Sequence, residues 1–162
     1  MKPTLVTHTP RVVVGLPIVT QPMSPEIPAL WSRFLQRAQD ISPVLEPGVA
    51  YGVIQMNVGA GGELNYLAGL PVAGPAEPAP AGMAAVTLAA GLYAVFEFAV
   101  SETGAAFDFI LNTWLPSSGY AQAASPLFER YGEDFDPNQP SSRMEVHVPL
   151  MARSSDSRSA PR

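Results

Sequence analysis

The chain has 162 residues, of which 47% are hydrophobic and only 14% are charged. This composition supplies enough apolar surface for one ordered domain of ordinary size. The formal net charge of −5 argues against a nucleic-acid partner, because binding to a phosphate backbone needs a dense basic surface. The absence of cysteine excludes disulfides, thiolate metal sites and a cysteine nucleophile.

The chain also lacks signals for a membrane, a metal or a cofactor. Its amino end has no basic stretch followed by an apolar run, and no apolar run reaches the roughly 18 residues of a membrane span. We therefore expect a cytoplasmic protein with no membrane partner. His8 and His147 are far apart in the sequence, and the glycine-rich residues 59–62 lack the lysine of a phosphate loop. The sequence thus predicts no metal site and no cofactor.

The first half of the chain reads as strand, helix, strand, strand. A strand runs from Val12 to Val19, and Ser24 caps a predicted helix. Two further strands, over residues 49–58 and 64–72, are joined by the glycine-rich residues 59–62. The apolar positions of the helix recur at helical spacing: Ile27, Leu30, Trp31, Phe34, Leu35, Ala38 and Ile41.

The second half repeats this order after a proline-rich connector at residues 75–82. Strand material over residues 84–100 is broken near Ala89–Gly91. A helix capped by Ser101 or Thr103 follows and ends at Pro116. The apolar positions of this helix are Phe107, Ile110, Leu111 and Trp114, and the last two strands are predicted over residues 127–131 and 144–150.

These patterns predict an α+β fold made of duplicated strand-helix-strand-strand modules. The modules would form an antiparallel sheet with the helices on one side and a cleft between the halves. We expect a single domain over residues 1–150, with one repeat at about 11–74 and the other at about 83–150. The polar residues 151–162 are predicted to be a disordered tail.

Glu129 is the residue that says most about function. Period-two alternation along a strand places Leu127, Glu129 and Tyr131 on one face. A carboxylate on an apolar face is costly unless a cation meets it. Such a face therefore favours a lipophilic cation as ligand.

Four segments of the second half carry a resemblance to a known family. They are Gly91–Glu97, Trp114–Tyr120, Phe128–Tyr131 and Glu145–Pro149. Together with the order of elements, they closely resemble the gyrase-inhibitor-like small-molecule-binding domain over roughly residues 11–150. The same domain forms the effector-binding part of bacterial regulators of multidrug efflux.

The resemblance implies a pocket between the repeats that accepts bulky aromatic or cationic compounds, with Glu129 as its acid. In the regulators this domain follows a helix-turn-helix segment, whereas about ten residues precede the first predicted strand here. We therefore expect a stand-alone form rather than a transcription factor. The ligand-binding residues that we predict beside Glu129 are Trp31, Tyr51, Tyr66, Tyr93, Glu97, Trp114 and Tyr131.

Some of these assignments leave alternatives open. Trp31 and Trp114 fit core packing as well as pocket lining. Tyr93 and Glu97 share a strand face that is opposite to Phe96 and Phe98, and surface exposure fits Glu97 as well as a site does. The sequence does not decide whether Glu97 or Glu145 also lines the pocket.

Two other functions are consistent with the resemblance. Some family members look like hydrolases that open cyclopropane rings in genotoxic compounds, and Glu129 would then be the general base with Tyr93 or Tyr131 as the acid. Alternatively, the family name and the acidic balance suggest a protein that binds gyrase as an inhibitor or protector. Unpaired sheet edges would also allow a homodimer. The sequence does not decide whether any reaction is catalysed.

Overall fold

The computed structural model describes residues 1–56, 61–73 and 78–153. It is an α+β fold built around a nine-stranded antiparallel sheet. The strands are β1 (Thr4–His8), β2 (Arg11–Thr20), β3 (Ala50–Met56), β4 (Leu64–Val72), β5 (Ala84–Leu88), β6 (Gly91–Ala99), β7 (Tyr120–Gln122), β8 (Leu127–Tyr131) and β9 (Arg143–Ala152). The helices are α1 (Glu26–Leu35), α2 (Thr103–Phe109) and α3 (Leu115–Ser117), with a π-helical segment (Ile110–Trp114) joining the last two and 3-10 turns at Ala38–Asp40 and Val100–Glu102.

The two halves of the chain contribute equivalent parts of the sheet. The first half pairs its strands in the order β2-β4-β3, and the second half pairs its strands in the order β6-β9-β8. The halves meet where β3 and β8 pair in antiparallel fashion, with Gly52 opposite Glu129. The predicted fold class is therefore confirmed, and the seam between the halves is the β3–β8 pair.

Each half also lends an outer strand to the other half. β1 lies amino-terminal to the three central strands of the first half but pairs with β6, and β5 lies amino-terminal to those of the second half but pairs with β2. β1 leads into β2, and β5 leads into β6, so the β1–β6 and β2–β5 pairings lie end to end. Both pairings have the same antiparallel register, with Thr4 opposite Val95 and Gly15 opposite Ala84. The sheet therefore curls until its two ends meet.

Both main helices pack on the same face of this sheet. Leu30 and Phe34 of α1 belong to the same buried cluster as Ala106 of α2 and Ile110 of the following π-helical segment. On the opposite face, a second buried cluster contains Val13, Tyr51, Val53, Leu67, Leu88, Tyr93 and Phe128. The helix-covered face and this opposite face thus have separate cores.

The element boundaries differ from the predicted ones at several points. α1 ends at Leu35, because Arg37 leaves the helical region with a φ of −123°. The second helical region continues through Pro116 to Ser117. The strands Thr4–His8 and Tyr120–Gln122 were not predicted, so the expectation that the first strand begins near Val12 is wrong.

The carboxyl-terminal strand is also longer than predicted, since β9 continues through Ala152. The rest of the predicted tail, part of the glycine-rich turn and residues 75–77 of the connector lie outside the described residues. In the described part of the chain, no helix has the length and apolar character needed to cross a bilayer.

Candidate functional site

Glu129 lies at the seam between the halves and points toward the helix-covered face. Its neighbours on this face of β8 are Leu127 and Tyr131, as the alternation predicts. The residue is only 6% exposed. A carboxyl group in this position has lost most of its hydration, so its state depends on the groups that touch it.

Three polar side chains form a chain of hydrogen bonds that ends on this carboxyl group. The hydroxyls of Tyr66 and Tyr131 both donate to Oε1 of Glu129, at 2.6 and 2.8 Å. The indole Nε1 of Trp31 donates to the Tyr66 hydroxyl oxygen at 2.9 Å. These residues come from β4, β8 and α1, so both halves of the chain supply the site.

Further aromatic rings pack against the tyrosines that touch the carboxyl group. The ring of Trp31 meets the ring of Tyr131 edge to face, with centroids 5.5 Å apart and an interplanar angle of 80°. Phe135, in the loop after β8, lies with its ring centroid 4.6 Å from that of Tyr131. Aromatic faces of this kind attract cations electrostatically. The surroundings of Glu129 therefore combine an acid with aromatic faces and apolar side chains.

Gly52 makes this arrangement sterically possible. It lies on β3 between Ala68 of β4 and Glu129 of β8. A Cβ atom on residue 52 would overlap both the Tyr66 hydroxyl and Oε1 of Glu129, far inside van der Waals contact. The role of Gly52 depends on strand register, so no local sequence pattern identifies it. Phe135 was missed for a similar reason, since a loop gives no periodicity from which to read a contact.

The electrostatics of the site are unusual for a carboxylate. Burial raises the pKa of Glu129 above its ordinary value, and the hydrogen bonds from Tyr66 and Tyr131 oppose this rise without cancelling it. Burial and the neighbouring acid also raise the pKa of both tyrosines, which therefore remain proton donors. Among the ion pairs of the described residues, none includes Glu129.

Two of the predicted aromatic residues do not join this site. Tyr51 packs on the opposite face of the sheet, stacked on Phe128 with centroids 4.8 Å apart, and its hydroxyl donates to Glu46 at 2.7 Å. Tyr93 packs against Phe128 on that same face, and its hydroxyl donates to the Ala89 carbonyl oxygen at 2.7 Å. The structure therefore separates both tyrosines from the Glu129 carboxyl group.

Of the other two predicted residues, Trp114 packs against the same helix-side core as Tyr66 and Tyr131, whereas Glu97 lies at the surface. Trp114 packs edge to face on Phe96, with centroids 5.1 Å apart. The side chain of Glu97 is 57% exposed and pairs with Arg143 at 3.6 Å. Of the residues predicted to line the pocket, the structure therefore assembles Trp31, Tyr66, Glu129 and Tyr131.

A second polar cluster occupies the face opposite Glu129. Glu46 accepts a hydrogen bond from Arg130 at 3.1 Å and forms an ion pair with Arg11 at 3.5 Å, and the guanidinium of Arg11 also donates to Tyr51. Arg130 reaches Glu145 as well, at 3.8 Å. These acids differ from Glu129, because each of them has a cation nearby.

Two histidines extend this second cluster. His147 is buried and lies 2.9 Å from Oε1 of Glu145 through its Nε2, while its Nδ1 lies 3.0 Å from Nε2 of His8. Hydrogen bonding to His147 and the charges of that histidine and Arg130 lower the pKa of Glu145 below its ordinary value, against the effect of burial. Glu145, whose role as a pocket residue the sequence leaves open, therefore lies on the face opposite Glu129. Among the described residues, no group of histidine and acidic side chains is arranged to hold a metal ion.

Comparisons with known proteins agree with this architecture. Residues 1–151 match the family model of the GyrI-like small molecule binding domain. The transcriptional regulator BrlR of Pseudomonas aeruginosa is 30% identical over 141 residues, which cover 85% of this chain and 51% of the regulator. This chain thus spans about half the length of that curated relative.

Two solved structures show the same fold. The structure of SAV2435 bound to tetraphenylphosphonium superimposes with a TM-score of 0.71 at 18% identity, covering 93% of this chain and 94% of that one. A putative bacterial transcription regulation protein from Staphylococcus aureus MU50 gives a TM-score of 0.69 at 17% identity, covering 94% and 99%.

Proposed function

This chain belongs to the family of GyrI-like small-molecule-binding domains, and we propose that it binds lipophilic cations, with Glu129 as the counter-charge. The observation that carries this proposal is a buried carboxyl group that accepts hydrogen bonds from two tyrosines and forms no ion pair with any described residue. An ionised carboxylate in such surroundings lacks charge compensation. A cationic ligand would supply it.

The aromatic residues suit a bulky, oily ligand. Burial of apolar ligand surface contributes on the order of 25 cal/mol per Å², and each cation–ring contact adds about 0.5–2 kcal/mol. Because Glu129 is only 6% exposed, a bulky cation reaches its carboxyl group after at least one of the surrounding side chains changes position. Rings recognise shape loosely, so we expect several cations of this class to bind.

Tetraphenylphosphonium is the natural first probe, since the SAV2435 structure holds that compound on the same fold. It has four phenyl rings, a delocalised charge and no hydrogen-bond donor. It therefore tests the combination of aromatic contact and charge without adding other interactions.

The deciding experiment compares tetraphenylphosphonium binding by wild type, Glu129→Gln and Glu97→Gln in calorimetric titrations at one pH and salt concentration. Removal of one partner of a buried charge pair costs about 2 kcal/mol or more, so Glu129→Gln should bind about 30-fold more weakly. Glu97→Gln removes the same charge from an exposed position on the other face and should bind as wild type does. Equal affinity of all three proteins would contradict the role of Glu129.

Hydrolysis of a strained ring is a second candidate function, favoured by the raised pKa of Glu129. A general base works best when its pKa is near the working pH. Tyr131 and Tyr66 are the hydroxyls within reach of Glu129, whereas the predicted partner Tyr93 lies on the other face. Mass spectrometry of a cyclopropane substrate incubated with wild type or Glu129→Gln tests this function, which requires hydrolysis by wild type alone.

A further inference from the structure

We propose that a proton and a lipophilic cation compete for Glu129, so that binding of the cation releases one proton from the site. The inference rests on the proposed function, because it concerns the same ligand. It adds that the ligand-free site is occupied by a proton rather than by a bare negative charge. The site would therefore exchange one positive charge for another.

The hydrogen bonds of the site suit both protonation states. The hydroxyls of Tyr66 and Tyr131 donate to the same oxygen, Oε1 of Glu129. A carboxyl oxygen has two lone pairs, so Oε1 accepts both bonds whether the group is ionised or neutral. A proton on Oε2 disturbs neither bond. Gain and loss of the proton thus require no rearrangement of the two tyrosines.

No strand packed against Glu129 supplies a competing charge. On β8 itself, Arg130 points to the opposite face and is engaged by Glu46 and Glu145. β4 contributes the neutral phenol of Tyr66, and β3 contributes Gly52. β9 places Val146 opposite Glu129. The sheet therefore places no positive side chain beside Glu129 that could take the place of a proton.

The helix and the loop beside the site also place no charged side chain against Glu129. In α1, the indole of Trp31 reaches the site by its hydrogen bond to Tyr66. The charged residues of this helix are engaged elsewhere or exposed: Glu26 accepts a hydrogen bond from Thr20 at 2.5 Å, and Arg33 is exposed. In the loop after β8, Phe135 packs on Tyr131, and the acidic Glu133 and Asp134 are exposed. The titratable groups that touch Glu129 are thus the two phenols, whose raised pKa keeps them neutral.

The linkage has a definite sign. The raised pKa of Glu129 extends the pH range in which the ligand-free group holds its proton. Below that pKa, the cation must displace the proton, so affinity falls by up to about tenfold for each unit of decreasing pH. Above it, the carboxylate is already ionised and affinity no longer depends on this group.

The test is calorimetric titration of wild type with tetraphenylphosphonium from about pH 5 to about pH 8, in pairs of buffers with different ionisation enthalpies. At the lower pH values, we expect the heat of binding to differ between the two buffers by the heat of ionising nearly one equivalent of buffer. The affinity should rise with pH and then level off. Glu97→Gln should behave as wild type does, because it retains the buried acid.

A second measurement assigns the proton to its residue. The side-chain carboxyl carbon of Glu129, identified by its loss from the carbon-13 NMR spectrum of Glu129→Gln, should titrate with a raised pKa in the free protein and a lowered pKa with ligand bound. Proton release without titration of this carbon would overturn the inference. So would binding by wild type with equal heats in both buffers and no change of affinity with pH.

The outcomes also separate this inference from the function beneath it. If wild type binds tetraphenylphosphonium with an affinity that depends on Glu129 but releases no proton, the proposed function stands and the competition is wrong. If wild type does not bind the cation at any pH, both proposals fail together.

Discussion

The two faces of β8 treat acidic side chains in opposite ways. On the helix-covered face, Glu129 is buried among neutral hydrogen-bond donors, and burial raises its pKa. On the opposite face, Glu46 and Glu145 lie beside arginine and histidine side chains. Hydrogen bonds from Tyr51 and Arg130 and the nearby arginine charges outweigh burial and lower the pKa of Glu46.

This difference separates acids that are paired with cations of the protein from an acid that has no charged partner among the described residues. The Glu46 pairs are internally compensated and join a loop of the first half to Arg130 of the second half. The Glu129 carboxyl group is uncompensated, so its burial costs stability unless a proton or a ligand neutralises it. Glu129 and Arg130, which face the two kinds of environment, are adjacent residues of β8.

We expect the largest effect from a substitution at Gly52, which disturbs the Glu129 face by steric overlap. In Gly52→Ala, the new methyl group collides with the Tyr66 hydroxyl and with Glu129, and overpacking of this kind costs about 1–3 kcal/mol. We expect loss of unfolding free energy in urea together with loss of tetraphenylphosphonium binding.

The matched control is Gly132→Ala, where an added Cβ meets no atom within 4 Å. It should change the free energy of unfolding by no more than about 0.5 kcal/mol. Equal stability of the two variants would contradict the close packing of Gly52 against the site.

We expect a smaller effect from a substitution at Glu46, on the face opposite Glu129. In Glu46→Gln, Arg11 and Arg130 lose a charged partner, and we expect a loss of about 1 kcal/mol in unfolding free energy. This loss should shrink as salt is added, because the three side chains remain 21–30% exposed. Cation binding should not change. Urea unfolding at low and high salt measures the first effect, and calorimetry measures the second.

Asp40→Asn provides the comparison for that experiment, because it breaks the more exposed pair with Arg37. Its cost should be smaller, at most about 0.5 kcal/mol. If Glu46→Gln weakens cation binding as strongly as Glu129→Gln does, the two faces are not independent.

The effect that is smallest at neutral pH concerns the pH dependence of stability. Burial and the charges of His147 and Arg11 lower the pKa of His8 from 6.5 to about 4. Between these values the unfolded chain binds more protons at this residue than the folded chain does, so the contribution of His8 to stability falls as the pH falls from 6.5 toward about 4. Above this range the contribution should be constant.

His8→Asn should remove this part of the pH dependence while leaving stability near neutral pH almost unchanged. Urea unfolding of both proteins across the range measures it. An unchanged slope in the variant would show that His8 is as easily protonated in the folded protein as in the unfolded chain.

Much of the fold could be predicted from local sequence patterns. The strands Leu127–Tyr131 and Leu64–Val72 have the predicted bounds, because alternating or continuous apolar runs mark them clearly. The segment Thr4–His8 gave no such signal, since its side chains are mostly exposed and it depends on pairing with β6. Strands that form through distant partners are the ones that local patterns miss.

The site was predicted less completely than the fold for a related reason. Alternation within β8 correctly joined Glu129 to Tyr131, because both residues lie on one strand. Tyr51 and Tyr66 look alike in sequence, yet only the register of β3 and β4 against β8 decides which of them reaches Glu129. A shift of one residue in that register would exchange the two faces. Long-range pairing therefore limited the prediction.

The exchange of outer strands has a consequence for how this protein could be divided. A fragment that ends near the connector keeps Thr4–His8 without its partner β6 and leaves Arg11–Gly15 without β5. The complementary fragment has the reciprocal defect. Division at the connector would therefore leave unpaired strand edges in both fragments, because each outer strand has its partner in the other half.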